Sequence, residues 1–213
     1  MASAAATPSI RGLRADEVEA AVEMLARAFH DDPGALITEP DPGLRPAALR
    51  ALFAPVVRWA VPFGQVAAAV DGDGGVVGIA TFVPPGHEAP TEEEIVAAGQ
   101  LEAEAAVPAA AARMGPMVEF IEAQHAAVMS GPHWRLEFFG VEPSLQGTGL
   151  GSRLIETGHA AADAAGETVW LETFTEWNVR WYEARGYRVA CEAIVPGSSF
   201  TLWGMIREPR AAG

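Results

Sequence analysis

The segment Val141-Glu142-Pro143-Ser144-Leu145-Gln146-Gly147-Thr148-Gly149-Leu150-Gly151-Ser152 sets glycines at alternate positions where an apolar run gives way to a helical pattern. A helix start offers backbone N–H groups without internal acceptors, and the helix dipole adds positive potential there. Glycines at 147, 149 and 151 lack the Cβ atoms that would hold a ligand away. A diphosphate can therefore rest on the backbone from Gln146 to Ser152 without a lysine. The plain alternative is a flexible, glycine-rich turn. Two nucleotide-binding patterns come close. A P-loop needs Lys-Ser or Lys-Thr after its last glycine, and Gly151-Ser152-Arg153 does not supply it. A dinucleotide fingerprint is nearer, because Gly147 and Gly149 precede the small Ser152 and Glu172 follows about twenty residues on. Against it, serine stands at the third glycine position, and five residues separate Val141 from Gly147 where a tight turn belongs.

The elements that must carry this loop follow from hydrophobic periodicity. Ile10 to Arg14 alternates like a short strand, and Asp16 is placed to cap a helix whose Val18, Val22, Leu25 and Phe29 share a face. That helix ends near His30-Asp31-Asp32-Pro33. Leu49, Leu52, Phe53, Val56, Val57 and Trp59 predict a second helix, with Pro55 weakening its middle or setting a new start. Strands over 65–70 and 76–83 flank Asp71-Gly72-Asp73-Gly74-Gly75, a strong hairpin signal. Thr91-Glu92-Glu93-Glu94 has the form of a capping box, and a further helical stretch runs over 108–129. Then come a buried strand over 134–141, a helix over 149–165, a strand over 168–174 and a short helix over 178–185. Strands over 187–195 and 200–207 close the chain. This order predicts an α/β (α+β) domain with a mixed sheet covered by helices on both faces.

Length and composition narrow the function. A chain of 213 residues, half of them apolar, suits one core, so residues 10–207 are expected to form one domain between tails at 1–9 and 208–213. The start lacks the basic and apolar regions of a secretory signal, and no apolar run is long enough to cross a bilayer. A cytoplasmic protein is expected. Twenty-eight acidic residues against fourteen basic ones give a net charge of −14, which repels nucleic acid and draws cations. Every basic residue is arginine, which removes lysine Schiff-base chemistry. Cys191 is the single cysteine, expected as a buried small hydrophobe. His30, His87, His125, His133 and His159 are scattered without ligand spacing, so no metal is expected.

The pattern Gln146-x-x-Gly149-x-Gly151, preceded by Val141-x-Pro143, resembles the acetyl-CoA loop of the GNAT superfamily of N-acetyltransferases. A second block, Asn178-Val179-Arg180-Trp181-Tyr182-Glu183-Ala184-Arg185-Gly186-Tyr187, is similar to that family's Asn…Tyr-Glu-x-x-Gly-aromatic segment. Within the superfamily the chain looks most like the puromycin N-acetyltransferase branch. The features are Ala28-Phe29 shortly before Asp32-Pro33, the Glu172-to-Asn178 spacing, and the ending Val195-Pro196-Gly197 through Trp203-Gly204-Met205. The resemblance implies the GNAT fold, with a mixed, mostly antiparallel central sheet, and direct transfer of acetyl from acetyl-CoA to a small-molecule amine through a tetrahedral intermediate.

Carried over residue by residue, it places pantetheine along Phe139, Gly140 and Val141, with the Val141 N–H facing the oxyanion. The diphosphate would sit on Gln146, Gly147, Thr148, Gly149, Leu150, Gly151 and Ser152, and Asn178 would touch the cofactor arm or cap its helix. Tyr182 would protonate the departing sulfur, since a phenol of pKa near 10 can donate to a thiolate of pKa about 8.5. Tyr187 is more simply core. Two carboxylates compete as base. Glu137 shares a strand face with Phe139 and Val141 by alternation, and Glu172 stands on the next strand. The six tryptophans are expected mostly as packing, with an acceptor ring as the alternative contact for Trp177. The competing functions are a catalytically silent acyl-CoA-binding module and a protein N-acetyltransferase. The acidic balance favours a small cationic amine, with no nucleic acid or membrane partner, and leaves a homodimer open.

Overall fold

The computed structural model describes residues 7–63, 65–87 and 90–210. Most of the expected tails, 1–6 and 211–213, lie outside the described residues. Along the chain run β1 (Ser9–Gly12), α1 (Val18–Ala28), α2 (Pro33–Thr38), α3 (Arg45–Ala60), β2 (Val66–Val70) and β3 (Val76–Val83). Three helices follow: α4 (Glu92–Ala97), α5 (Gln100–Ala106) and α6 (Pro108–Val128). The last third holds β4 (Trp134–Val141), α7 (Leu150–Ala165), β5 (Val169–Thr173), α8 (Glu176–Glu183), β6 (Tyr187–Ile194) and β7 (Thr201–Arg207). No helix among the described residues is long and apolar enough to cross a membrane.

The strands form one sheet in the order β1-β2-β3-β4-β5-β7-β6, antiparallel throughout except where β4 meets β5. One face carries α1 and α3 on a core of Leu25, Leu49, Phe53, Val57 and Ile79. The other carries α7 on Phe82, Leu136, Leu154, Ile155 and Leu171. α7 lies flush on the sheet because Gly158 has no Cβ; one built there would stand 2.2 Å from the Phe82 ring.

The hairpin, the Thr91–Glu94 capping box and the closing strands match the expectation. Four local readings change. Asp16 caps nothing: Glu17 turns back to accept the Arg14 N–H at 3.1 Å and pairs with Arg11. Pro55 does not break α3, whose Phe53, Val57 and Ala60 are fully packed. That burial outweighs a proline cost of roughly 3 kcal/mol. The stretch after Asp32 is a helix, α2, started by the Asp32 carboxylate accepting the Gly34 N–H at 2.9 Å. Cys191 is only half-buried, lying across the β6–β7 ladder from Gly204.

Candidate active site

β4 and β5 pair only through Trp134 with Val169 and Arg135 with Trp170. Beyond that point the strands part, and the rest of β4 keeps an open edge. Glu142 donates to the Val77 carbonyl at 2.9 Å, and Val141 stands opposite Gly78 in the next register position. Antiparallel pairs alternate, so the N–H and C=O groups of Val141 and Phe139 point away from β3 and into the gap. The Val141 carbonyl is taken by the Gln146 side-chain amide at 3.2 Å. Its N–H is left toward the gap.

At the end of β4 the chain makes a short turn over Pro143–Leu145 and enters the glycine loop. Gly147 and Gly149 have φ of +75° and +86°, which L side chains rarely adopt, and nothing lies within 4 Å of a Cβ built on either. Thr148 Oγ1 donates to the Leu145 carbonyl at 2.7 Å, which tightens the turn. α7 has no side-chain cap, and its first turn keeps free N–H groups. Leu150 sends its side chain into the core, so only its backbone faces outward. Gly151 lets Phe139 and Trp181 close over the helix start; its Cβ would come 3.2 Å from the Phe139 ring. The open gap, the free N–H groups and the side-chain-free loop fit the pantetheine and diphosphate of acetyl-CoA.

Tyr182 lies on α8, buried against Trp181 and Tyr187. Its phenol forms no hydrogen bond within the described residues. Burial raises its pKa and the charge of Asp32 adds to the shift, so it stays protonated. Tyr187 is core, its hydroxyl 2.9 Å from His159 Nε2. Thr175 caps α8, accepting the Asn178 N–H at 3.3 Å, so Asn178 is not the cap. Its amide bonds Thr173 Oγ1 at the end of β5. Trp177 is 69% exposed and lines no part of the cavity described next.

The two candidate bases meet in that cavity, about 480 Å³, walled by α3, α4, α5, α6 and the inner face of β4 and β5. The expected shared face of Glu137, Phe139 and Val141 is wrong. β3 runs from Thr81 opposite Phe138 directly to Phe82 opposite Leu136, so Glu137 is the extra residue of a β-bulge. The bulge resets the alternation. Glu137 and Phe138 both face the cavity, while Leu136, Phe139 and Val141 belong to the α7 side.

Arg135 joins the acids. Its guanidinium lies 2.7 Å from Glu122 on α6, 3.2 Å from Glu137 and 3.1 Å from Glu172. Glu172 also accepts the Trp170 indole N–H at 2.6 Å, which fixes it in place. Burial pushes the Glu137 carboxyl above the usual range; Arg135 opposes this, and Glu172 and Glu122 reinforce it. Burial likewise raises the Asp32 carboxyl, to about 6, against the pull of the Gly34 N–H. Among the described residues, six carboxylates (Asp32, Glu94, Glu104, Glu122, Glu137 and Glu172) and one guanidinium line the cavity, together with Phe, Met and Trp side chains.

Sequence reasoning missed Arg135, Glu122 and Asp32. Arg135 carried a signal, as an arginine two residues from Glu137 in an apolar strand. Glu122 carried none, because only the packing of α6 brings it there. The histidines are also less scattered than expected. His125 and His133 meet at 2.7 Å between Nε2 atoms, and His125 lies beside Glu122. No group of three or more residues suited to a metal occurs among the described residues.

Solved structures share this architecture. A Corynebacterium glutamicum protein described as histone acetyltransferase HPA2 and related acetyltransferase is 23% identical, with a TM-score of 0.65, covering 97% of this chain and 99% of its own. Arylalkylamine N-acetyltransferase 2 from Aedes aegypti is 14% identical, with a TM-score of 0.62 and coverage of 95% and 99%. A polyamine N-acetyltransferase from Drosophila melanogaster is 18% identical, with a TM-score of 0.59 and coverage of 94% and 99%. At these identities the likeness establishes the fold. The sequence profile of the acetyltransferase (GNAT) family matches residues 36–187, well over half of the chain. With its parted strands and glycine-started helix, the chain belongs to the acetyltransferase (GNAT) family.

Proposed function

We propose that this protein transfers the acetyl group of acetyl-CoA to the primary amine of a small cationic molecule. The observation that carries the reading is the acidic cavity against the bulged stretch of β4, on the opposite face from the glycine loop and α7. An ammonium is drawn by its carboxylates, and its apolar walls accept a hydrocarbon or aromatic body. Neighbours of the same fold are named for agmatine, polyamine and arylalkylamine acetylation and others for histone and ribosomal-protein acetylation, so the preference for a small amine rests on the cavity. The finer assignment to the puromycin N-acetyltransferase branch rests on the sequence features at 28–33, 172–178 and 195–205 and makes an aminonucleoside one acceptor to try.

Acetyl-CoA supplies the thioester carbonyl and a thiolate leaving group. The loop from Gln146 to Ser152 would hold the diphosphate through backbone N–H groups, and the open edge at Phe139, Gly140 and Val141 would hold the pantetheine. Glu137 would take the proton from the bound ammonium, directly or through water. Tyr182 would give its proton to the departing sulfur. Glu172, held by Arg135 and Trp170, is the weaker candidate for base because its oxygen is already committed.

Tyr182→Phe tests this directly. The ring still packs, so CoA should bind as before, while kcat falls by about 10²-fold to 10⁴-fold with little change in KM. Full turnover of that variant across pH 6 to 9 would overturn the role given to the phenol.

A further inference from the structure

Eleven of the fourteen arginines are paired with a carboxylate, as expected in so acidic a chain. Arg153, Arg185 and Arg210 form no ion pair among the described residues. Arg185 is the unusual member. Its guanidinium lies flat on Trp181, 3.3 Å from the ring centroid, donates to the Trp181 carbonyl at 2.6 Å, and donates to Ser152 Oγ in the first turn of α7. Its Nε is buried without a partner. Glu156 acts on it only at a distance, and burial lowers its pKa.

This placement is electrostatically unfavourable as it stands. A cation beside a helix N-terminus meets the positive end of the dipole, a mismatch on the order of 0.3 to 1 kcal/mol. Partial burial without a counter-charge adds to it. Elsewhere the chain has carboxylates in excess, yet none among the described residues is paired with this guanidinium. The arrangement becomes favourable when an anion joins it. A guanidinium has five N–H donors; two are engaged here and the Nε N–H is buried, leaving roughly two on the terminal nitrogens for an incoming oxygen. Stacking on Trp181 and the bond to Ser152 hold the fork in one orientation, so little rotamer freedom is lost on binding. Arg153, exposed in the first turn of the same helix, adds positive potential at the rim.

We infer that Arg185 is a phosphate ligand for the cofactor, the side-chain counterpart to the backbone N–H groups of the glycine loop. This rests on the acetyl-CoA assignment above. In a chain without lysine it supplies the full positive charge that the loop itself lacks. It contributes to holding the cofactor and touches neither the thioester nor the acceptor. The phosphate oxygens concerned belong either to the diphosphate or to the 3′-phosphate.

Calorimetric titration with CoA, 3′-dephospho-CoA and pantetheine separates these cases. Against Arg185→Gln, the expectation is a loss of about 10-fold to 100-fold in CoA affinity with pantetheine affinity unchanged, and partial recovery in Arg185→Lys. Raising salt should weaken CoA binding more in the wild type than in Arg185→Gln. An equal loss with dephospho-CoA places the contact on the diphosphate; a loss confined to CoA places it on the 3′-phosphate. If the wild type binds CoA far more tightly than pantetheine and Arg185→Gln does the same, the role of Arg185 is wrong and the cofactor assignment stands. A wild type that binds CoA no more tightly than pantetheine removes both. Parallel losses for CoA and pantetheine mark Arg185 as a packing residue only.

Discussion

Burial shifts both proposed proton carriers, Tyr182 as donor and Glu137 as acceptor, in the sense that strengthens the base and weakens the acid. Burial raises the pKa of Tyr182, which keeps the donor protonated, and raises that of Glu137, which makes it a stronger base. The activity limb that Glu137 governs should therefore lie above the ordinary carboxylate range, with turnover rising as pH climbs through it. Glu137→Gln should remove that limb from the pH–rate profile, whereas Glu172→Gln should keep it and lower the melting temperature, because Trp170 and Arg135 lose their charged partner. The reverse pattern would move the base to Glu172. Asp32 gives a stability prediction with a definite sign. Its folded pKa of about 6 exceeds the unfolded value, so the folded state binds the extra proton, and stability falls as pH rises from about 4 through 6. Asp32→Asn keeps an oxygen for the Gly34 N–H and removes this dependence. The variant should gain on the order of 1 to 2 kcal/mol relative to wild type between pH 4 and 7, read by denaturant unfolding. A constant difference across that range would contradict the burial argument.

At the scale of elements, the loop and α7 carry the cofactor claim. Gly149 starts the helix in a left-handed conformation with open space where a side chain would go. Gly149→Glu should abolish CoA binding while leaving a folded protein, since the new carboxylate occupies and repels the diphosphate position; unchanged CoA affinity would count against the loop. This part was legible beforehand because it is local: glycine spacing, turn residues and helical period all act within about fifteen residues. β4 was legible to the residue in its boundaries and illegible in its facing. The bulge at Glu137 comes from pairing with β3, a contact between positions about fifty-five residues apart, and nothing in Trp134 to Val141 announces it. The same limit hid Arg135 with Glu122, whose meeting depends on how α6 crosses the sheet. Pro55 erred in the other direction, a local breaker signal overruled by packing against α1.

For the whole molecule, the net charge of −14 acquires a geometry. Acid concentrates in the cavity on one face of the sheet, while Arg153 and Arg185, without ion pairs among the described residues, flank the glycine loop on the other. On the proposed reading, two substrates of opposite charge would be steered to opposite sides of the parted strands. The most direct measurement is thiol release from acetyl-CoA across a panel of polyamines, arylalkylamines, aminonucleosides, aminoglycosides, amino acids and a lysine-bearing protein. The account predicts release that depends on a small cationic amine and weakens as salt rises. Release with the protein acceptor alone, or tight CoA binding with no release for any amine, would contradict it.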